Sequence, residues 1–313
     1  GLNISSGFKS IVAIYVLVPL ILVPQLLFSG VVINFRHMHQ SVKSEKYVPF
    51  IGNLITSRWA YEALVVTQFR NNRFEKHFYE PEATISNTFF DQAYRIPILE
   101  SALSKIKNDS VNWAQDSRAA LINNELRKMS DRYAFKLPPR ILESDQSPEQ
   151  IKEKISLLLD TLSEQASNRY ARAKEKKETI RRNLINRLGG LKAFKILKSQ
   201  FHNKRLSTLV QNSDRLTSYY IKDQEIIYLR DPVFRLPDSK TGRGHYFAPA
   251  KFIGNLKINT LWFNTIRIWL GILLWYILLY FDVLNKILSY FESIRLRRIG
   301  RRRFLKLFGL TYK

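Results

Sequence analysis

The residues of this sequence that could do chemistry are few, and their spacing favours structural roles. Cysteine does not occur, which excludes a disulfide scaffold, a thiolate zinc site and a cysteine nucleophile. Of the five histidines only His37 and His39 lie close together, and the sequence offers no nearby carboxylate or third ligand. The spacings typical of serine hydrolases and zinc proteases are missing as well. We therefore predict no metal site, no catalytic residues and no enzymatic activity for this chain.

Glycine-rich phosphate loops are also missing from the sequence. Neither Gly189-Gly190 nor Arg243-Gly244 is followed by Lys-Ser or Lys-Thr at the spacing of a P-loop. We therefore predict that this chain holds no cofactor by itself.

One charged pair interrupts the apolar stretch Tyr47–Phe69. Arg58 and Glu62 are its only charged residues, and they are four positions apart. That spacing places both on one face of a helix, where the two charges can neutralise each other. We predict a structural ion pair in a re-entrant or interfacial helix pair. The alternative is a third full membrane span.

Two apolar segments frame a polar middle. From Ser10 to Phe35 there are 26 consecutive residues without a charge, more than the roughly 20 that cross a bilayer core. This run is too long for a cleaved signal peptide, and prolines such as Pro19 and Pro24 are tolerated in membrane helices. The second block is Ile258–Tyr290. Its centre, Ile268–Phe281, is apolar on every face, which favours a span over an interfacial helix if Arg267 snorkels or pairs.

The charge distribution predicts the orientation of these segments. The net charge of the chain is +24, and residues 291–313 carry eight Arg and Lys against one Glu. Short basic segments beside a span stay in the cytoplasm, so we place this tail inside, where it can anchor to anionic headgroups. The long middle then lies outside the cytoplasm. Its most basic helix, Arg169–Arg187, is interleaved with Glu175 and Glu178, so we interpret it as a solvated face and expect no nucleic-acid partner.

These observations predict a mainly α integral membrane protein with two transmembrane helices, re-entrant or interfacial helices and a large helical extramembrane insert. The predicted segments are a transmembrane helix (1–35), re-entrant or interfacial helices (36–70), an extracytoplasmic and mostly helical insert (71–257), the last transmembrane helix (258–290) and a basic cytoplasmic tail (291–313). Within the insert, Ser147 is expected to cap a helix that begins at Pro148 and stops at Gly189-Gly190. Tyr219–Pro249 is expected to form short hairpin or irregular structure.

Three motifs in the first seventy residues carry a resemblance to a known family. Pro24-Gln25-Leu26-Leu27-Phe28-Ser29-Gly30 resembles the signature of the fifth transmembrane helix of ABC exporters of the G (White) subfamily. Ser57-Arg58-Trp59-Ala60-Tyr61-Glu62-Ala63-Leu64 is similar to a second signature of that family, and Gly1-Leu2-Asn3-Ile4-Ser5 resembles the start of the same stretch. The similarity covers residues 1–69 and, by topology only, residues 258–313.

The resemblance implies that this chain is the last third of a dimeric permease. The implied partners are membrane lipid, a second permease half (identical or different), an ATP-binding domain upstream in the same polypeptide and a transported substrate of unknown identity. ATP and Mg²⁺ would belong to the full-length protein. The long external loop and the lack of cysteine look more like a bacterial relative, which implies the inner (plasma) membrane with a cytoplasmic C-terminus.

The resemblance also implies roles for single residues. The substrate path would be lined by Val23, Leu26 and Leu27, and an external valve would be formed by Val31, Val32 and Ile33. For each of these residues the alternative is a face packed against lipid or a helix. The alternative for the whole chain is a two-span membrane protein whose helical ectodomain binds a partner or senses a signal.

Overall fold

The chain is mainly helical, as predicted, and forms two compact units. The computed structural model describes residues 2–7, 11–30, 35, 44, 46–106, 116–135, 147–287 and 289–290. The terminal unit comprises Gly1–Lys43, Pro49–Tyr61 and Trp262–Lys313. The central unit comprises Ser44–Val48 and Glu62–Leu261.

The first four helices and the last one are rich in apolar residues. Their bounds are Leu2–Gly7 (α1), Ile11–Leu27 (α2), Phe50–Leu54 (α3), Thr56–Arg70 (α4) and Thr260–Tyr280 (α11). Among the described residues, only α11 is both long and apolar enough to cross a membrane. The apolar part of α2, Ile14–Leu27, is shorter. The large apolar side chains of α2 and α11 are mostly exposed, and Tyr15 and Tyr280 reach 76% and 74% exposure.

Both apolar helices are shorter than the segments predicted to form them. The first run extends to Phe35, but α2 ends at Leu27. The last span was predicted to begin at Ile258, but α11 begins at Thr260 because the preceding residues, Leu256–Asn259, form a strand.

The central unit is built on six helices and two hairpins within its described residues. The helices are Tyr79–Phe90 (α5), Ile96–Ser104 (α6), Ser117–Tyr133 (α7), Pro148–Arg187 (α8), Leu191–Phe201 (α9) and Lys204–Gln211 (α10). A π-helical turn, Asp91–Arg95, joins α5 to α6, and a 3₁₀ turn, Glu75–His77, precedes α5. The main core packs α6, α7 and the first half of α8 together through the fully buried side chains of Leu99, Ile122, Leu126, Met129, Ile155 and Leu159.

The long helix α8 begins and ends where the sequence predicts. The Ser147 hydroxyl accepts a hydrogen bond from the Gln150 amide, and the Gln150 side chain accepts one from the Ser147 amide, which completes a capping box. At the other end Gly189 and Gly190 have φ values of +82° and +131°. Because residues other than glycine rarely adopt these backbone angles, the glycine pair ends the helix.

Two antiparallel hairpins follow the helices. Tyr219–Lys222 (β1) pairs with Glu225–Tyr228 (β2), so the hairpin expected in this region is present. Ala250–Ile253 (β3) pairs with Leu256–Asn259 (β4), and this second hairpin was not predicted. Its two-residue turn is Gly254-Asn255, with φ +58° at the glycine, which is a recognisable hairpin signal.

A buried carboxylate joins the π-helical turn to α7. Asp91 is fully buried, and its oxygens lie 2.5 Å from Nη1 of Arg95 and 2.7 Å from Nη1 of Arg132. The hydroxyl of Tyr133 donates a third hydrogen bond at 2.9 Å. Burial, reinforced by the Asp91 carboxylate, raises the pKa of Tyr133, so this phenol stays neutral and acts as a donor.

A second buried carboxylate joins α7 to the first hairpin. Glu125 accepts hydrogen bonds from Nζ of Lys128 at 2.7 Å and from the amide of Ile226 at 3.0 Å. Nε of Arg95 lies 2.9 Å from the other oxygen of Glu125, so this one arginine contacts both buried acids. We call Asp91, Glu125 and the cations paired with them the carboxylate network.

We predict that Asp91→Asn lowers the free energy of unfolding by about 3–5 kcal/mol, because it leaves two arginines beside a neutral amide in a buried site. Equilibrium unfolding of the full chain in detergent measures this change. Asp160→Asn, at an exposed position of α8, is the matched control and should change stability by about 0.5 kcal/mol or less. Equal stabilities for the two variants would contradict a structural role for the carboxylate network.

Candidate functional site

The residues predicted to line a substrate path lie near the end of α2. Val23 and Leu26 are 53% and 58% exposed, and Leu27 is half-buried. The predicted valve residues Val31, Val32 and Ile33 lie outside the described residues. The roles of all six residues stay predictions. The exposure of Val23 and Leu26 leaves apolar surface that the other described residues do not cover.

Serine hydroxyls satisfy carbonyl groups at the end of α2. The last carbonyls of a helix have no partner within the helix. The Ser29 hydroxyl donates to the Leu26 carbonyl at 2.7 Å, and the Ser57 hydroxyl donates to the Gln25 carbonyl at 3.4 Å. The second bond brings together the two longer motifs of the family resemblance, residues 24–30 and 57–64, within the terminal unit.

Trp59 is the central side chain of the second motif. Its indole Nε1–H donates to the Asn53 carbonyl at 2.9 Å, and its own carbonyl accepts from the Asn264 amide at 2.9 Å. The guanidinium carbons of Arg58 and Arg267 lie 3.9 and 5.5 Å from the Trp59 ring system. Trp59 therefore ties α3, α4 and α11 together and gives two arginines an aromatic neighbour, an arrangement worth about 0.5–2 kcal/mol for each cation.

Glu62 makes a buried ion pair in the central unit. Its carboxylate accepts a hydrogen bond from Nζ of Lys251 in β3 at 2.7 Å, and both side chains are almost fully buried. The pairing of Glu62 with Arg58 that the helical spacing indicates stays a prediction. Lys251 was not among the predicted site residues. It lies 189 positions from Glu62 in the sequence, so no local spacing could have indicated it.

A histidine–carboxylate pair lines a second region of the central unit. Nδ1 of His202 lies 2.5 Å from Oε1 of Glu75, beside a cavity of about 330 Å³ that Phe74 and Phe194 also line. Burial raises the pKa of Glu75 above its ordinary value, against the opposing effect of the hydrogen bond with His202. The carboxylate fixes the orientation of the imidazole. This pair, too, joins residues far apart in the sequence and was missed.

The glycines considered as phosphate-loop candidates, Gly189, Gly190 and Gly244, make backbone hydrogen bonds within the protein. The amides of Gly189 and Gly190 donate to the carbonyls of Asn186 and Ile185 at 3.2 and 2.9 Å, so the end of α8 uses them. Gly244 packs against Pro237, and its carbonyl accepts from the Val48 amide. These backbone groups do not fit a nucleotide phosphate.

Comparison with known proteins adds no family to these observations. The sequence matches no protein-family model and no curated protein, and the fold matches no solved structure. Functional inference therefore depends on the motifs and on the geometry described above.

We predict that Lys251→Met destabilises the protein by about 3–5 kcal/mol, because it leaves the Glu62 carboxylate buried without its ammonium partner. The double variant Glu62→Leu/Lys251→Met, which removes both charges, should recover much of that loss. Thermal unfolding of the full chain in detergent compares the two variants with the wild type. A double variant less stable than Lys251→Met alone would contradict the assignment.

Proposed function

We propose that this chain is the C-terminal part of the membrane domain of an ATP-driven exporter of the ABC type, arranged as in the G subfamily. The observation that carries the proposal is the hydrogen bond between Ser57 and Gln25, because two motifs that resemble successive signatures of one family are also in contact. The apolar helices α2 and α11, with their exposed apolar side chains, support a membrane location.

In this proposal α2 lines the substrate path, and the residues that follow it form the outer gate. Val23, Leu26 and Leu27 would face the path, and Val31, Val32 and Ile33 would meet their counterparts in a second permease half. A ring of apolar side chains blocks a pore because water and ions do not wet it. Movement of the helices would open this constriction to one side of the membrane at a time.

The proposed orientation leaves the central unit outside the cytoplasm. The net charge of +7 over residues 291–313 favours a cytoplasmic tail, and α11 would then be the last span. With α2 as a second crossing, residues 71–257 would form an extracytoplasmic domain of a bacterial inner-membrane protein.

The second candidate function is a two-span protein whose ectodomain binds a partner or senses a signal. It is favoured by the size of the central unit and by its own buried core. The coding sequence upstream of Gly1 separates the two candidates. A reading frame with a P-loop and Leu-Ser-Gly-Gly-Gln supports the exporter, whereas a start codon directly before Gly1 supports the ectodomain protein.

The natural lack of cysteine makes the topology directly testable. We predict that a membrane-impermeant maleimide labels Ser199→Cys, at an exposed position of α9, in intact spheroplasts. Lys313→Cys, in the basic tail, should be labelled only after the membrane is permeabilised, and it serves as the internal control. Labelling of the tail but not of α9 in intact spheroplasts would refute the proposed orientation.

A substitution at the proposed valve tests the exporter more specifically. Val32→Asp in the full-length protein should wet the constriction, so that reconstituted liposomes leak K⁺ and ATP hydrolysis is uncoupled from export. Val32→Leu keeps the position apolar, so its liposomes should not leak K⁺ and its ATP hydrolysis should stay coupled to export. If Val32→Asp behaves like Val32→Leu in both assays, Val32 is not part of a valve.

A further inference from the structure

The central unit contains a cavity of about 790 Å³ with a strongly cationic wall. Seven Lys and Arg side chains line it against three Asp and Glu side chains, and we call it the basic cavity. The aromatic rings of Tyr47 and Phe252 also line it, and both residues are only half-buried, so they have surface to offer a ligand. Small-molecule sites typically measure about 300–1,000 Å³ and combine apolar walls with a few polar groups.

Most of the cations in this wall already have acidic partners. Arg95 and Arg132 belong to the carboxylate network, and Lys128 lies 2.7 Å from Glu125. Lys46 pairs with Glu225. These ion pairs hold the wall in place and cancel most of its charge, so they leave little attraction for a ligand.

Arg235 differs from the other arginines of the wall. Its Nε is buried without a hydrogen-bond partner, and among the described residues no carboxylate forms an ion pair with its guanidinium within 4.0 Å. The carboxylates of Asp238, in the wall, and of Asp231 act on it only from a longer distance. The contact of this guanidinium is the ring of Tyr228, whose centroid is 4.6 Å away. Asp231, a nearby acid, accepts hydrogen bonds from Ser86 and from the Tyr228 hydroxyl. Burial lowers the pKa of Arg235 to about 10, as expected for a cation withdrawn from water.

The neighbouring basic groups do not add a second unmatched buried charge. Nε2 of His245 donates to the Pro232 carbonyl at 2.8 Å, and burial, followed by the nearby Arg235 charge, lowers the pKa of His245 to about 3. His245 is therefore neutral near pH 7. Arg127 and Lys240 are exposed, so water solvates both of these charges. The basic cavity thus presents one half-buried guanidinium without a close ion-pair partner, beside half-buried aromatic rings.

We propose that the basic cavity binds a small organic carboxylate, whose carboxylate group pairs with Arg235 and whose apolar body lies against Tyr47 and Phe252. The planar fork of a guanidinium matches the two oxygens of a carboxylate. A single negative charge balances a single unmatched cation, whereas a phosphate dianion would add repulsion from the three acids of the wall. This inference does not depend on the proposed transport function.

Calorimetric titration of the full chain in detergent tests the proposal with 3-phenylpropionate as the probe. The wild type should bind it saturably and more tightly than acetate, which lacks the apolar body, or inorganic phosphate. 3-Phenylpropionamide, which has the same body without the charge, should not compete. Absence of saturable binding of 3-phenylpropionate at about 10 mM, well above a dissociation constant of about 1 mM, would overturn the proposal. Equal affinities for acetate and 3-phenylpropionate would overturn it too.

Variants of Arg235 assign the anchoring group. Arg235→Gln should weaken binding of 3-phenylpropionate at least about tenfold, as for the loss of a charged hydrogen bond. Arg235→Lys keeps the positive charge but loses the planar guanidinium, so its affinity for 3-phenylpropionate should lie between those of the wild type and Arg235→Gln. Arg182→Gln removes an exposed arginine of α8 outside the cavity and should bind like the wild type. Circular dichroism confirms that each variant is folded. Wild-type affinity in a folded Arg235→Gln protein would refute the role of Arg235.

Discussion

The organisation of the terminal unit follows from apolar surface that the described residues leave exposed. Helices α2 and α11 carry large apolar side chains, and most of these remain exposed. Water is a poor solvent for such a surface, so lipid or another protein chain must cover it. An apolar surrounding would in turn require polar groups to find partners within the protein. The indole of Trp59, the amide of Asn264 and the hydroxyls of Ser29 and Ser57 all have such partners. Exposed apolar helices and these hydrogen-bonded polar groups suit an apolar environment.

The central unit is organised around buried charges in addition to its apolar core. Asp91 and Glu125 connect α7 to the π-helical turn and to the first hairpin, and Glu62 connects α4 to β3. Buried ion pairs contribute little net stability compared with well-packed apolar residues, but a buried charge that loses its partner is costly. Such pairs therefore penalise alternative packing of these elements. Arg235 breaks the pattern, because its guanidinium lies against an aromatic ring, its Nε is buried without a hydrogen-bond partner, and among the described residues Asp231 and Asp238 act on it without forming an ion pair. A buried charge needs a partner. The other charges find theirs within the protein and are structural, whereas we infer that Arg235 takes its partner from a ligand in the basic cavity.

The features that support transport and those that support carboxylate binding lie in different units of the molecule. Transport is inferred from motifs in and beside α2, where apolar side chains and helix-end hydrogen bonds are the relevant features. Carboxylate binding is inferred from the charge inventory of a cavity within the central unit. If both proposals hold, the central unit supplies a recognition site for a small organic anion in addition to the transport path of the terminal unit's helices in the same chain.

The amino-acid sequence by itself determined the features that depend on neighbours along the chain. The helical class, the capped start of α8 at Ser147, its stop at Gly189-Gly190 and the first hairpin follow from spacing and turn chemistry, which act over a few residues. The second hairpin was not predicted, because its turn, Gly254-Asn255, lies just before the apolar segment that was assigned to the last transmembrane helix. Only the tertiary structure decided which charges meet. Lys251 reaches Glu62 across 189 positions, and the isolation of Arg235 is known only once every nearby acid has been placed. Charge pairing depends on distance in space, and the spacing of residues along a chain does not encode that distance once the chain folds back on itself.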